Sequence, residues 1–484
     1  MSNKLKRSIK LNTVIFALKR ELTVIFPMIT LPYALRVLGV ENIGNYNFVL
    51  SVIGYFTLIG ILGLHDYGRR DGAIIRSDRQ KISLFASEIF SFNLFITSIA
   101  YIMLFICTLL ISRLRKDGLL VFICSLSILL TTIGVEWIYS VYEDYIYITV
   151  RQILTQFVSM ILMFIFVRDR DDLLVYAAIS IIASAGSNLF NLFHSKKYCD
   201  LKFTLKGNWK THLQKSIIFF ANSMMITIYV HTDMTILGFL CGDYSVGLYS
   251  AAVKVYNVIG AILIAAASVG IARLSEYSGN GKKYEFNQLA EEIYGVILTI
   301  TFPVVVGVCC YCREIICMVG GKEYTEAHTS LFILSIALLF FILAVYWGQC
   351  ILIPNGKEKE LLYITSISAV INIVLNFALI PFLKQDAAAI TTMLSEGFTA
   401  LLTIIYGRKL VKLEGIYSII LKSLIGSGFV CVVSVTLKNI FINPNIALGV
   451  SIILSAVGYL MIEVVVKNEV VYKPVIFCIQ KLFN

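Results

Sequence analysis

The stretch GLLVFICSLSILLTTIGVEWIYSV, residues 118–141, carries one charged side chain, Glu136, near its end. A bilayer's hydrocarbon core is about 30 Å thick, and roughly 20 apolar residues cross it as helix. This run is long enough. A membrane β-barrel would show short alternating segments instead. Inside lipid, a continuous apolar run must satisfy its own backbone N–H and C=O groups, so it reads as helix. Working outward with the same ruler gives about fourteen spans. They lie near 22–38, 44–64, 89–112, 118–141, 145–167, 173–193, 216–240, 245–272, 293–312, 327–353, 361–383, 387–407, 416–437 and 446–466. The predicted fold class is an all-α polytopic membrane protein.

Composition agrees. Hydrophobic residues make up 58% of the 484 and charged residues 15%, where soluble domains carry about 25% charged residues. Mean hydropathy is +0.83. A soluble enzyme, a disordered chain, a coiled coil and a secreted disulfide scaffold are all excluded. The net charge of +11 would suggest nucleic acid in a soluble protein; here it fits basic loops facing anionic lipid, with no nucleic-acid partner. Most of the 11 cysteines, including Cys107, Cys124, Cys350 and Cys431, fall in apolar runs as small hydrophobes. Cys309, Cys310, Cys312 and Cys317 cluster, but lack the paired C-x-x-C spacing and nearby His that zinc favours. Neither a metal nor a cofactor is expected. Residues 1–21 hold seven charges and no small-residue cleavage site, so no cleavable signal peptide is expected.

Lys and Arg fix an orientation. With the N-terminus inside, the inner segments hold about three times as many of them as the outer ones. Both termini are therefore expected to be cytoplasmic; Arg113, Arg115 and Lys116 in loop 3–4 dissent. The longest polar connection, about 195–215, sits at the midpoint and suggests two halves. Ile43-Gly44-Asn45-Tyr46 opens span two and Val246-Gly247-Leu248-Tyr249 opens span eight, 203 positions later. Six spans separate the copies, so both face the same way, as in parallel-repeat transporters. Two six-helix lobes are expected at 1–205 and 206–412, with two further helices and a cytoplasmic tail in 413–484.

An ionisable group in lipid costs at least about 2.5 kcal/mol and so faces a cavity or a partner. Arg36 lies at the outer end of span one, His231 and Asp233 in the outer half of span seven, and Lys254 about 14 Å into span eight. Glu396 is midway along span twelve; Glu88 starts span three; Glu136 and Arg151 flank the hairpin between spans four and five. Each has a plain structural reading: Glu136 and Arg151 as a stapling ion pair, Asp233 as neutraliser of Lys254, Arg36 as a snorkelling side chain. The functional reading makes Arg36 and Lys254 cationic contacts for a phosphate, since Arg offers a planar fork and Lys a compact charge. After span two, His65-Asp66-Tyr67-Gly68-Arg69-Arg70-Asp71 places His65/Arg69 and Asp66/Arg70 at helical i, i+4 spacing. This is either a positive-inside anchor or an inner contact for an anionic headgroup. No phosphate-binding loop, Ser/His/Asp set or H-E-x-x-H occurs, so no catalytic residue is expected and the chain is not read as an enzyme.

Taken in order, these residues resemble the polysaccharide transporter family of Wzx-type flippases. Phe26-Pro27-Met28-Ile29-Thr30-Leu31-Pro32-Tyr33-Ala34-Leu35-Arg36-Val37-Leu38-Gly39 is similar to its first-helix signature. Gly63-Leu64-His65-Asp66-Tyr67-Gly68-Arg69-Arg70, then Glu136-Trp137-Ile138-Tyr139 with Arg151, follow its pattern. Asp233 and Val246-Gly247-Leu248-Tyr249-Ser250-Ala251-Ala252 with Lys254 resemble the start of its second half. The resemblance runs over about residues 10–280. It implies two six-helix lobes around a central cavity in the bacterial cytoplasmic membrane. It also implies translocation of undecaprenyl-pyrophosphate-linked oligosaccharide repeat units for O-antigen or capsule, with ion coupling in some members. A polysaccharide polymerase and a chain-length regulator are the implied protein partners. On that reading Arg36, Lys254, Asp233, Arg69 and Arg70 are substrate contacts, and Glu136, Arg151 and Asp66 form gating ion pairs. The alternatives are a drug/cation antiporter of the same superfamily and a membrane glycan polymerase.

Overall fold

Apolar runs of this length become helices because lipid offers the backbone no other partner. The computed structural model describes the backbone of residues 2–268 and 270–474, and side chains from residue 26 within them except Pro27 and Ala266. Among these residues there is no strand. Twelve helical stretches are long and apolar enough to cross a bilayer.

The chain divides into two compact units, Met1–Gly247 and Leu248–Asn484. The first holds α1 (Ser2–Ile61), α2 (Leu64–Ile75), α3 (Arg79–Leu110), α4 (Gly118–Ile133), α5 (Tyr145–Phe166), α6 (Leu173–Ile181) and α7 (Trp209–Cys241), and ends in the first turns of α8 (Asp243–Ser268). The second holds the rest of α8, then α9 (Lys283–Gly320), α10 (Ala327–Val345), α11 (Glu358–Gly407), α12 (Ile416–Ile440) and α13 (Pro444–Val465). Two helices are too long for one crossing. α1 breaks at Gly39 (φ 77°) and α11, 50 residues long, breaks at Lys384 (φ 51°). Each break falls between two predicted spans, so the twelve stretches accommodate all fourteen.

Two spans are less regular than their composition suggests. Residues 118–141 are not one helix: α4 stops at Ile133, Val135 turns left-handed (φ 39°), and a short helix restarts at Glu136–Val141. Gly134 presses there on Asn188, 2.6 Å from where its Cβ would lie to the Asn188 Cγ. Span six relaxes into a π-turn at Ile182–Gly186 before the helix Asn188–His194.

The polar connection after span six is stapled down rather than loose. Ser83, Ser87 and Ser91 form a stripe at i, i+4, i+8 on α3. Their hydroxyls accept the backbone N–H groups of Asp200 (3.0 Å), Lys202 (3.0 Å) and Thr204 (2.8 Å). The registers agree because two extended residues advance about 6.6 Å and four helical residues about 6.0 Å. In the same unit α7 lies along the second arm of α1. Thr235 donates to Ser51 at 2.8 Å, and Tyr55 meets Thr232 at 3.3 Å. Small hydroxyl residues let helices approach and bond in lipid.

Asp78 caps α3, accepting from the N–H groups of Gln80 (3.0 Å) and Lys81 (3.1 Å). The Lys81 N–H holds its carboxyl below the usual range. Since the unfolded carboxyl titrates near 3.9, the cap's contribution is complete above that pH and fades as pH falls through the lower folded value. Asp78→Ala is therefore expected to lower the melting temperature by a few degrees at neutral pH, a gap that closes in acid. Scanning fluorimetry in detergent at both pH values checks this; a gap independent of pH would contradict it.

In the second unit, the two arms of α11 are joined by buried polar contacts. Asn376 donates to Asn372 (3.0 Å), Thr391 to Asn376 (2.7 Å) and Thr399 to Ser368 (2.7 Å). Asn376, braced by Asn372 on its own arm, thus serves bonding between the two arms. In the α9, α12 and α13 group, the Tyr311 hydroxyl donates to the Ser434 carbonyl at 3.1 Å and Glu463 is fully buried. Glu463 belongs with the intramembrane charges but lay too near a predicted span end to stand out.

Candidate functional site

The turn after α1 is made by Gly63 (φ 68°), where no other residue fits. Its Cβ would lie 2.5 Å from the Phe220 backbone N and 2.6 Å from the Ser216 carbonyl of α7. That close approach sets α7 against the start of α2. α2 is amphipathic. Its buried side carries Leu64, Tyr67, Gly68 and Gly72, and it packs on Trp137, with a Gly68 Cβ only 2.8 Å from the indole. Its other side carries Arg69 and Arg70, both exposed.

The pairing on α2 differs from the i, i+4 expectation. Arg69 takes Asp66 at 2.9 Å, and Arg70 takes Asp71 at 2.7 Å instead of Asp66, with its guanidinium 5.2 Å from the Phe219 ring. Asp71 also pairs with Lys215 at 2.9 Å, and the Phe219 ring holds Arg70 on that side. Below it, Tyr67 meets His212 Nδ1 at 3.0 Å, and His212 Nε2 meets Glu88 at 2.8 Å. Glu88 thus anchors α3 to α7 and α2.

Between the second arm of α1, α4 and α7 lies a cavity of about 400 Å³ within the first unit. His65, Asp66, Thr57, Ser127, Thr227 and His231 supply its polar wall. Gly54 makes room for His231: a Cβ there would lie 2.6 Å from Nε2. Two imidazoles, a carboxylate and several hydroxyls can hold water and exchange protons. The volume admits a few waters or one sugar-sized group, not an oligosaccharide. Ser223, Thr227 and His231 stand at i, i+4, i+8 on α7, a polar stripe inside an apolar span that is legible in the sequence only when the two hydroxyls are aligned with the imidazole.

The other predicted residues lie elsewhere. Arg36 is exposed on the first arm of α1, one turn before the Gly39 break. Asp233 is buried on α7. Lys254 is half-buried on α8, in the second unit. Arg151 is buried on α5 and donates to the Ser187 carbonyl at 3.1 Å. Glu136 acts electrostatically on both Arg151 and His65, so the hairpin carboxylate lies between the cavity and Arg151. Arg76 pairs with Glu143 at 2.9 Å across the same hairpin. In loop 3–4, Arg113 forms an ion pair with Asp243 and covers the Phe48 ring at 4.1 Å, which explains one cation against the charge bias.

Comparison with known proteins bears on what this architecture is. The family described as polysaccharide biosynthesis protein matches residues 9–278, and the MatE family matches residues 218–378. A putative O-antigen transporter of Escherichia coli (strain K12) is 23% identical over 83% of this chain and 97% of its own length. Capsular polysaccharide biosynthesis protein CapF of Staphylococcus aureus is 24% identical over 76% of this chain and 90% of its own length. Among solved structures, the lipid II flippase MurJ in an inward closed conformation superposes with a TM-score of 0.76 over 95% of this chain and 99% of its own, at 16% identity. An inward-facing multidrug resistance MATE family transporter of the MOP superfamily gives 0.58 over 80% and 97%, at 14% identity. These likenesses fit the all-α polytopic fold.

Proposed function

The chain belongs to the polysaccharide biosynthesis protein family, and from that premise we propose that it is a flippase for polysaccharide precursors in the bacterial cytoplasmic membrane. Its substrate on this reading is an undecaprenyl-pyrophosphate-linked oligosaccharide repeat unit, carried by alternating access for O-antigen, capsule or another surface glycan. It is a transporter rather than an enzyme. The observation that carries the reading is the family match over residues 9–278, which takes in Arg36, the polar cavity and Lys254. The names of the curated relatives, O-antigen transporter and capsular polysaccharide protein, point the same way.

Physical chemistry supports the assignment. The substrate's pyrophosphate bears about two negative charges, and an inside-negative potential favours their outward movement by about 2.3 kcal/mol per charge per 100 mV. Nucleotide hydrolysis is then unnecessary, in keeping with the missing phosphate-binding loop. Arg36 and Lys254 meet the pyrophosphate, Arg69 and Arg70 gather headgroups at the inner surface, and Asp233 partners a cation or takes a proton. Asp66, His65 and His231 offer the second place where ion coupling can enter.

The test is genetic and chemical. A strain lacking the protein is expected to lose its surface glycan and to accumulate lipid-linked repeat units on the inner leaflet, both restored by the wild-type chain. Single repeat units reaching the outer surface without polymerising would instead indicate a polymerase. The MatE match favours one second reading, a small-cation antiporter; drug efflux from the same pair of strains separates it.

A further inference from the structure

A second cavity, of about 890 Å³, lies in the first unit, away from the polar one, between α5 and the irregular end of span six. One end is polar. Arg151, His194 and Lys197 line it together with Tyr147 and Asp144. Arg151 is more than nine-tenths buried, yet its Nε has no hydrogen-bond partner, and His194 Nδ1 is likewise buried and unpartnered. The donors are held in place. His194 stacks on Tyr147 with centroids 3.9 Å apart, Tyr147 stacks on Tyr139 at 5.2 Å, and Arg151 is tied to the Ser187 carbonyl. Asp144 does not neutralise this end. It accepts a hydrogen bond from the Tyr198 hydroxyl, lies 3.6 Å from Lys197, and leaves Arg151 to Glu136, which acts on it from outside the groove lining.

The other end is apolar. Val150, Leu154 and Val158 follow one another at i, i+4, i+8 on α5, each half exposed, and face Ile182 and Phe190. From Val150 to Val158 the track is about 12 Å long. That is close to the depth of one leaflet, half of a core about 30 Å thick.

We infer that this groove is a binding site for an anionic glycerophospholipid of one leaflet, its phosphate at Arg151, His194 and Lys197 and one acyl chain along Val150, Leu154 and Val158. The unpartnered, buried N–H of Arg151, beside His194 and Lys197, calls for an acceptor such as a phosphate oxygen. Lys196, next to Lys197 in the chain, is basic too, and basic pockets at helix ends select anionic headgroups. A polyprenyl chain would need a longer track than this one. The site is thus distinct from the transport path of the proposed function and does not depend on it.

Full-length protein purified in a neutral detergent would be titrated with phosphatidylglycerol or phosphatidylcholine and read by native mass spectrometry and thermal shift. Phosphatidylglycerol is expected to form a one-to-one adduct and raise the melting temperature, with phosphatidylcholine much weaker. Lys197→Glu is expected to weaken the adduct about tenfold through charge. Leu154→Trp, which fills the track and leaves every charge in place, is expected to weaken it comparably. Lys206→Glu, outside the groove, should keep it. Equal binding of the two lipids, an unaffected adduct in Leu154→Trp, or an equal loss in Lys206→Glu would each overturn the proposal. So would a polyprenyl phosphate that displaces phosphatidylglycerol stoichiometrically. Size-exclusion profiles and melting in lipid-free detergent show whether each variant is folded, and a misfolded Lys197→Glu leaves Leu154→Trp to decide.

Discussion

Gly44→Val is expected to abolish the folded protein, and Gly247→Val to do the same. A Cβ at position 44 would lie 1.8 Å from the Asp243 carbonyl oxygen and 2.8 Å from the Gly247 backbone N. A Cβ at position 247 would lie 2.1 Å from the Val40 carbonyl oxygen. All of these obstacles are backbone, so no side chain can rotate out of the way and the helices themselves must part. Overpacking of this kind costs typically 1–3 kcal/mol where side chains can adjust, and about 3 kcal/mol or more where they cannot. In a chain of this size about 3 kcal/mol lowers the melting temperature by only a few degrees, but parting two packed helices costs more than that, to the point of failure to fold. Gly44→Ala should already be severely destabilised. Gly449→Ala, where a Cβ meets nothing within 4 Å, should be harmless. Fluorescence-detected size exclusion of tagged variants, followed by thermal scanning, reads both. A monodisperse Gly44→Val with wild-type melting would deny the contact.

The contact has a symmetry that the sequence contains. Gly44 and Gly247 are 203 positions apart, and so are Val40 and Asp243. Gly44 meets Asp243, and Gly247 meets Val40, its counterpart one turn earlier. The glycines of the two Gly-x-Tyr copies therefore meet each other's neighbourhoods reciprocally. A four-residue likeness between apolar helices carries little weight by itself; a reciprocal backbone contact at the same offset gives it a physical cause.

Other features were legible to different depths. Hydropathy located every span, because lipid leaves a long apolar segment only one backbone solution. It did not show that residues 118–141 break at Val135, since the break answers to Asn188, a contact from another span. Nor did it show that Ser83, Ser87 and Ser91 staple the 200–204 segment, although the three serines stand at helical spacing in plain view. Isolated charges such as Arg151 and Asp66 were conspicuous because their cost in lipid is high. Their partners were not, because partner choice depends on third parties. The Phe219 ring favours the Arg70 pairing with Asp71, and the Ser187 carbonyl accepts from Arg151. The cavity at Ser223, Thr227 and His231 was the largest omission: single hydroxyl residues in apolar helices are common enough that only their alignment signals a site.

Arg36 and Lys254 replaced together by Ala are expected to abolish glycan export while the protein still inserts and accumulates in the membrane. Each is a cation in or beside a membrane span, one turn before the Gly39 break in the first unit and on α8 in the second. A hydrogen bond to a charged group contributes about 1.5–3 kcal/mol. Losing two from the rate-limiting state would slow transport about a hundredfold or more. Arg36→Lys should retain part of the activity, keeping the charge but not the bidentate fork. Surface glycan, quantified by immunostaining in a deletion strain against protein level on blots, gives the answer; wild-type glycan from the double variant would end the assignment of these residues. The single variants test more than the pair does. Cations that grip one pyrophosphate in the same rate-limiting state have losses that compound in the double variant, whereas cations acting at separate steps of the cycle only add their delays, so the double variant is then little slower than the worse single. A double variant no slower than the worse single would therefore keep both residues functional but place them at different stages, and would replace the picture of a shared headgroup clamp with one of successive contacts.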